Sequence, residues 1–324
     1  MRLSLIYNVY NFLWIDCHVS TRPLVFRHNL LPMFSRFSIA GLIVIGYLPL
    51  AWVRLLGRLL GWLLYLVVPS RRHVVQVNLR LCFSHLTAVQ VRVLTRAVFV
   101  RFAQAWLDRG WLWRGSPDLL RARLRVTGAV DQLAGTDPVV VFAPHFVGLD
   151  AGWTALTQGL PRRWTTIYTD QSNQVMDAWI LAGRKRFGDV QLFGRAQGVR
   201  HIVASLRTGA PLYLLPDMDF GPQDCLFVPF YGVSTATLPS LPRFARLGRA
   251  KVVPVITRMT AVGYTVDVLP VWPNFPTGDV AADTAQMNVQ LQTLIDTMPD
   301  QYYWVHKRFK DRPPGESDLY DAPR

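Results

Sequence analysis

Lysine is nearly missing from this chain: it stands only at 185, 251, 307 and 310, so arginine carries the cationic charge. Acids are scarce too, with 21 Asp and Glu against 35 Lys and Arg, a formal net charge of +14. Charged residues make up 17% of the 324 positions and hydrophobic residues 51%. That balance excludes a disordered chain and suits contact with a membrane. Cysteine is limited to Cys17, Cys82 and Cys225, isolated and odd in number. No disulfide framework or zinc spacing follows, and a reducing compartment fits. Four familiar site patterns are also missing: the G-x-S-x-G elbow, the P-loop, G-x-G-x-x-G and H-E-x-x-H. Their absence disfavours a serine lipase and nucleotide or zinc enzymes of those types.

What is present is basic, apolar and aromatic, which points to an anionic membrane surface or a phosphorylated ligand before nucleic acid. The most informative stretch runs from Val139 to Asp150. Val139 to Ala143 is continuously apolar and reads as a buried strand. Pro144 stops it, Gly148 loosens the turn, and Leu149 to Thr157 reads as the start of a helix. His145 therefore sits just past a strand end, with Asp150 five residues later. A His oriented by a carboxylate is general-base equipment, because the carboxylate fixes the tautomer and stabilises the imidazolium. The competing reading is a hydrogen-bonded His closing a strand, with Asp150 as an acid at a helix N-terminus.

Residues 1–32 have no clear periodicity, and Met33 precedes the first apolar run, so they read as an upstream extension. Residues 33–68 read as a membrane anchor. Ile39 to Val53 is apolar over 15 residues, short of the ~20 that span a bilayer core. Arg54 and Arg58 come next on one helical face, then a second apolar run from Leu59 to Val68. A single spanning helix with both Arg snorkelling, a pair of helices lying in one leaflet, and a buried core helix all remain open. From Arg54 to Arg125 there are 13 Arg against Asp108 and Asp118. That excess places the domain after the anchor on the cytoplasmic side, with Arg71, Arg72 and Arg80 towards the headgroups. Residues 69–117 read as a helical basic segment. Val89 to Trp113 has amphipathic helical spacing, with Phe99, Phe102, Trp106 and Trp113 as an aromatic stripe, and 110–117 as its boundary.

Residues 118–324 read as an α/β core. Seven apolar runs (Leu124–Val126, Val139–Ala143, Trp164–Tyr168, Val190–Phe193, Leu212–Leu215, Val252–Ile256 and Tyr264–Val268) alternate with helical patterns. Such alternation argues for a mostly parallel central sheet flanked by helices. Functional residues of such sheets gather at strand ends, where His145 and Asp217 both stand. A His-Asp pair without a nucleophile of its own suits a reaction whose substrate supplies one, a hydroxyl attacking an activated acyl group.

Five stretches are similar to one family. His145-Phe146-Val147-Gly148-Leu149-Asp150 is the H-x4-D/E pattern of the glycerolipid acyltransferase superfamily. Val68-Pro69-Ser70-Arg71-Arg72 with Val77 to Phe83, Asn173 with Asp177 and Gly183-Arg184, Pro216 to Pro222 running into Phe227-Val228-Pro229-Phe230, and Tyr303 to Lys310 with Arg312 to Gly315 are the other four. Over residues 34–316 the chain resembles the lipid A biosynthesis late acyltransferases, the lauroyl and myristoyl transferases of Gram-negative bacteria. It departs from their usual pattern in carrying Asp150 for Glu and Pro144 for Asn.

The resemblance implies an inner-membrane enzyme, single-pass or monotopic, with its catalytic domain on the cytoplasmic side. It implies transfer of a fatty acyl chain from acyl-carrier-protein thioester to a hydroxyl of an anionic glycolipid, the lipid A precursor, without cofactor, metal, covalent intermediate or nucleic acid. His145 would be the general base and Asp150 its orienting acid. Arg184 would contact acceptor phosphate or the oxyanion, and Asp217 would pair with a basic group, with Asp219 its rival. Arg195 is a further phosphate candidate, and His306 lies in a basic run that meets the membrane, the carrier protein or solvent. A lysophospholipid or ornithine-lipid acyltransferase, a lipase and a non-catalytic membrane lipid-binding protein are the alternatives.

Overall fold

In the computed structural model the residues described are 31–194, 197–219 and 221–321. The nine strands among them are β1 (Leu124–Gly128), β2 (Val139–Phe142), β3 (Arg163–Tyr168), β4 (Asp189–Gly194), β5 (Leu212–Leu214), β6 (Leu226–Phe230), β7 (Val233–Thr237), β8 (Lys251–Thr260) and β9 (Gly263–Val268). All seven apolar runs become strands of one sheet, ordered β1-β9-β8-β2-β5-β3-β4. Every neighbouring pair is parallel except β8 and β9. β2 lies inside the sheet with all four residues fully buried, which is why it reads as an unbroken apolar run rather than an alternating one. β6 and β7 form a separate antiparallel hairpin.

The helices are α1 (Leu31–Gly46), α2 (Leu50–Val67), α3 (Pro69–Cys82), α4 (Ala88–Arg114), α5 (Pro117–Arg123), α6 (Leu149–Gly159), α7 (Gln174–Arg184), α8 (Val199–Arg207), α9 (Ser240–Gly248) and α10 (Val280–Asp296). α6 packs on β1, β8 and β9, α8 on β3, and α9 on β2. α4 is the organiser of the N-terminal part, packing against α1, α2, α3, α6 and α7. Thr87 and Gln90 cap it reciprocally, an arrangement that contributes about 1 kcal/mol. From Phe102 to Trp113 every residue of α4 is buried. The expected amphipathic helix is therefore enclosed on all sides in its second half, wedged between α1, α2 and the sheet domain.

Two N-terminal expectations change. The run Ile39 to Val53 is not one helix: α1 ends at Gly46, and Pro49, which cannot continue a helix, stands at the N-cap of α2. Arg54 does not reach outward from α2. It pairs with buried Asp108 on α4 at 2.8 Å, and the same carboxylate accepts from Tyr264 Oη (2.5 Å) and Trp111 Nε1 (2.9 Å). Gly110 lies within α4, which runs on to Arg114. It is the close-approach point of α1, where a Cβ would collide with the Leu42 carbonyl oxygen.

α2 closes on α4 in the same way: a Cβ on Gly61 would lie 2.5 Å from Val100 Cα, and one on Gly57 2.8 Å from Gln104 Cα. The opposite face of α2 leaves Trp52, Leu55, Leu59, Trp62, Leu63 and Leu66 exposed, at helical spacing. α2 is the one helix among the described residues long and apolar enough to cross a membrane. Arg71 and Arg72 donate to the carbonyl oxygens of Val305 and Tyr65, while Arg80 is exposed. Residues 1–30 of the expected extension lie outside the described residues.

Candidate active site

β2 and β5 are adjacent and parallel, with Phe142 opposite Leu214. The pairing continues one step further, Ala143 N donating to Leu214 O at 2.9 Å. Three residues beyond Phe142 is His145, and three beyond Leu214 is Asp217, so the register itself brings the two together. His145 Nδ1 lies 2.8 Å from Asp217 Oδ1, and the His145 backbone N–H donates to Oδ2 at 2.9 Å. Both carboxylate oxygens are spent on one residue, which fixes the ring's position and its rotation.

Asp217 is fully buried. Burial pushes its carboxyl pKa up, but the positive charge that His145 carries when protonated, together with the side-chain and backbone hydrogen bonds from His145, outweighs this and holds it below the usual carboxylate range. An ionised carboxylate only accepts, so in the neutral form of the ring Nδ1 carries the proton and Nε2 keeps its lone pair. The His145 side chain is 19% exposed, and a ring held in that tautomer has a lone pair that can take a proton.

Asp150, expected to orient His145, has other partners. Gly148 and Gly152 press one face of the α6 start against Thr257 of β8, with a Cβ on Gly148 placed 2.8 Å from Thr257 Cγ2. Residue 150 lies midway between them and so points from the opposite face, towards α4 and α7. There Oδ2 accepts from Arg109 Nε (3.0 Å) and Nη2 (2.8 Å), and Oδ1 from Arg184 Nε (2.9 Å). Burial raises this carboxyl too, and Arg184 and Arg109 more than reverse it, leaving the pKa lowered. The carboxylate on the His145 ring is Asp217, and Asp150 is the tie between two guanidiniums.

Arg184 uses Nε on Asp150 and lies over the Tyr168 ring, 5.5 Å from its centroid. Its two terminal nitrogens have no hydrogen-bond partner among the described residues. Asn173 caps α7 through Met176 N and donates to Ser35 Oγ at 2.7 Å. Asp177 accepts from Tyr168 Oη and Gln171 N. Both therefore fix α7, and with it Arg184, against α1 and β3. Asp219 accepts from Gly221 N and Asp311 N, each at 3.0 Å. Burial first, then the neighbouring Asp311, raises its carboxyl to about 6 against the pull of those N–H bonds. Arg195 lies outside the described residues.

The C-terminal segment completes the site. Tyr303 N donates to His145 O at 3.0 Å and Val147 N to Gln301 O at 2.8 Å, with an antiparallel bridge between Phe146 and Tyr302. Asn78 of α3, itself fully buried, donates to Trp304 O (2.7 Å) and His306 O (2.8 Å) and accepts from Tyr320 Oη (2.5 Å). His306 Nε2 accepts from Asp219 N at 3.2 Å. Sequence reasoning missed Arg109, which carries no local mark within an aromatic helix, and gave Asn78 no role. The cue for Asn78 was a lone amide between apolar neighbours Val77 and Leu79.

Residues 27–311 match the model of the bacterial lipid A biosynthesis acyltransferases. The chain is 30% identical over 273 residues to a lipid A biosynthesis acyltransferase of Haemophilus influenzae, covering 83% of this chain and 84% of that protein. It is 29% identical to the lipid A biosynthesis palmitoleoyltransferase of Escherichia coli K12, over 83% of this chain and 90% of the relative. To the lauroyltransferase of the same organism it is 27% identical, covering 84% and 90%.

Proposed function

Because this chain belongs to the bacterial lipid A biosynthesis acyltransferase family, we propose that it moves a fatty acyl chain from an acyl-carrier-protein thioester to a hydroxyl of a lipid A precursor, with His145 as general base. The observation that carries this is the His145 ring, held through Nδ1 by a buried, ionised Asp217 with Nε2 left free. Nε2 takes the proton of the acceptor hydroxyl as its oxygen bonds to the thioester carbonyl carbon. The tetrahedral intermediate collapses, the C–S bond breaks, and the proton passes from His145 to the departing sulfur. General-base help of this kind contributes about 10²–10⁴ in rate.

Asp150 is a positioning residue in this scheme. It holds Arg184 by Nε and leaves the terminal nitrogens for an acceptor phosphate, which a guanidinium can grip with two bonds. The enzyme sits on the cytoplasmic face of the inner membrane with the exposed faces of α1 and α2 in the lipid. The close packing of α2 on α4 favours a monotopic seat. If α2 crossed the bilayer, α4 would be drawn in with Arg92, Arg96 and Arg101, at a cost of several kcal/mol each near the centre.

The test is a transfer assay read by mass spectrometry. Purified protein, beside His145→Ala, receives mixed acyl-carrier-protein thioesters together with lipid A precursor and lysophospholipids. A precursor heavier by one acyl chain, absent with the variant, supports the reading. Acylation of lysophospholipid alone, or equal product from His145→Ala, refutes it.

A further inference from the structure

The turn after β5 holds two imidazoles, not one. Its Asp217 carboxylate takes His145 Nδ1, and two residues on, the Asp219 backbone N–H donates to His306 Nε2 at 3.2 Å. A backbone N–H can only donate, so the lone pair at His306 Nε2 is occupied and the proton of the neutral ring sits on Nδ1. The two rings are thus held in complementary states. His145 offers a free lone pair at Nε2, and His306 offers a free N–H at Nδ1, which has no hydrogen-bond partner among the described residues.

The setting of His306 is rigid. Its carbonyl oxygen accepts from Asn78 Nδ2, its N–H donates to Tyr303 O at 3.3 Å, and Tyr303 is bonded in turn to the carbonyl of His145. Two positions on, Arg308 is buried and bonded to Ala236 O and Thr237 Oγ1. The ring also stays neutral: burial first, then the charges of His145 in its protonated form, Arg308 and Arg71, push the His306 pKa down to about 3. A neutral imidazole tied to the same turn as the base does not compete with it for the substrate proton. As an N–H donor it stabilises charge that develops on a carbonyl oxygen.

We propose that His306 is a second catalytic residue, donating from Nδ1–H to the oxyanion that forms on the donor's carbonyl oxygen. This rests on the acyl-transfer reading in which His145 is the base. As the acceptor oxygen bonds to the carbonyl carbon, the C=O electron pair moves onto oxygen, where His306 holds it without transferring its proton. When the C–S bond breaks, the pair returns and His306 is unchanged.

Two substitutions separate this from a purely structural tie. In His306→Gln the side-chain oxygen can still accept from Asp219 N, but the Nδ1–H is gone. In His306→Asn an amide N–H stands where Nδ1 stood, but the reach to Asp219 is lost. The expected result is a fall in kcat of about 10²–10³ for His306→Gln, with KM, thermal midpoint and the acid limb of the pH profile unchanged. His306→Asn should keep more of kcat than the Gln variant while its thermal midpoint drops. A Gln variant with wild-type kcat, or an Asn variant slower than Gln, overturns the proposal. His145→Ala in the same assay separates the two claims: inactive beside a fully active His306→Gln, it leaves the base assigned and sinks His306 alone. An active His145→Ala removes the base assignment and the oxyanion role with it.

Discussion

Replacing Asp217 by Asn should cost this enzyme nearly all of its turnover while leaving the fold standing. The wild-type carboxylate accepts twice from one residue, at 2.9 Å from His145 N and 2.8 Å from Nδ1. An amide of the same shape has one oxygen and one NH2. If the oxygen keeps the backbone N–H, the amide nitrogen falls opposite Nδ1. Two N–H groups cannot face each other, so the ring moves its proton to Nε2 and the base is lost. If the amide flips, its NH2 meets the His145 backbone N–H and leaves that donor unpaired, at about 1–3 kcal/mol. The first arrangement wins, and the wrong tautomer results. A carboxylate-to-amide change behind a catalytic imidazole lowers kcat by about 10⁴ in the serine proteases. At about 1.36 kcal/mol per decade that is about 5.4 kcal/mol of transition-state stabilisation. The assay is the initial rate of precursor acylation at saturating donor and acceptor, with thermal unfolding run in parallel. An Asp217→Asn protein that turns over within about tenfold of wild type would refute the claim that Asp217 sets the tautomer.

The same geometry sets three further outcomes. Asp150→Asn leaves the Arg109 and Arg184 guanidiniums without their shared counter-charge in a buried setting, so unfolding free energy should fall by about 3–5 kcal/mol in urea titrations. Asn78→Ala removes donors to two backbone carbonyls and the acceptor of Tyr320; a loss of about 3 kcal/mol is expected, measured the same way. Stability should also fall in acid. The folded pKa values of Asp150 and Asp217 are lowered, so the stability they contribute is present above the unfolded carboxylate value, about 3.9, and drains away as pH falls through the folded values. Asp219, raised to about 6, acts in the opposite sense as pH climbs from about 4 to 6. Thermal midpoints against pH should therefore show a steep acid limb in wild type and a shallower one in Asp217→Asn.

The central sheet was legible because buried parallel strands are apolar without interruption, and all seven runs join it. The hairpin of β6 and β7 was not legible. Pro229 argues against a strand, and the cue was the turn Tyr231-Gly232, where both residues adopt positive φ (49° and 76°), the geometry of a tight two-residue hairpin loop. Gly110 lies inside the expected helix, but its part in the packing was not legible, since only Gly46 across the interface shows it to be a point of close approach. His145 and Asp217 were each readable as strand-end residues. Their pairing was not, since it depends on β2 and β5 being neighbours in register across 72 residues of chain. Asp150 looked like the partner because it is near in sequence, yet helical periodicity turns it to the far side of α6. The partner of Asp150 on α4, Arg109, is 41 residues away. His306 was placed with a basic run because its neighbours Lys307, Arg308 and Lys310 are charged, whereas its environment is set by contacts with Asp219 and Asn78.

The most direct test is made on lipid A itself. A strain deleted for this protein is complemented with wild type or with His145→Ala at matched membrane levels, and its lipid A is weighed by mass spectrometry. The account predicts that the deletion strain's lipid A lacks one acyl chain, that wild type restores it, and that His145→Ala does not. Restoration by His145→Ala, or an unchanged lipid A beside an altered phospholipid or ornithine-lipid profile, would contradict it.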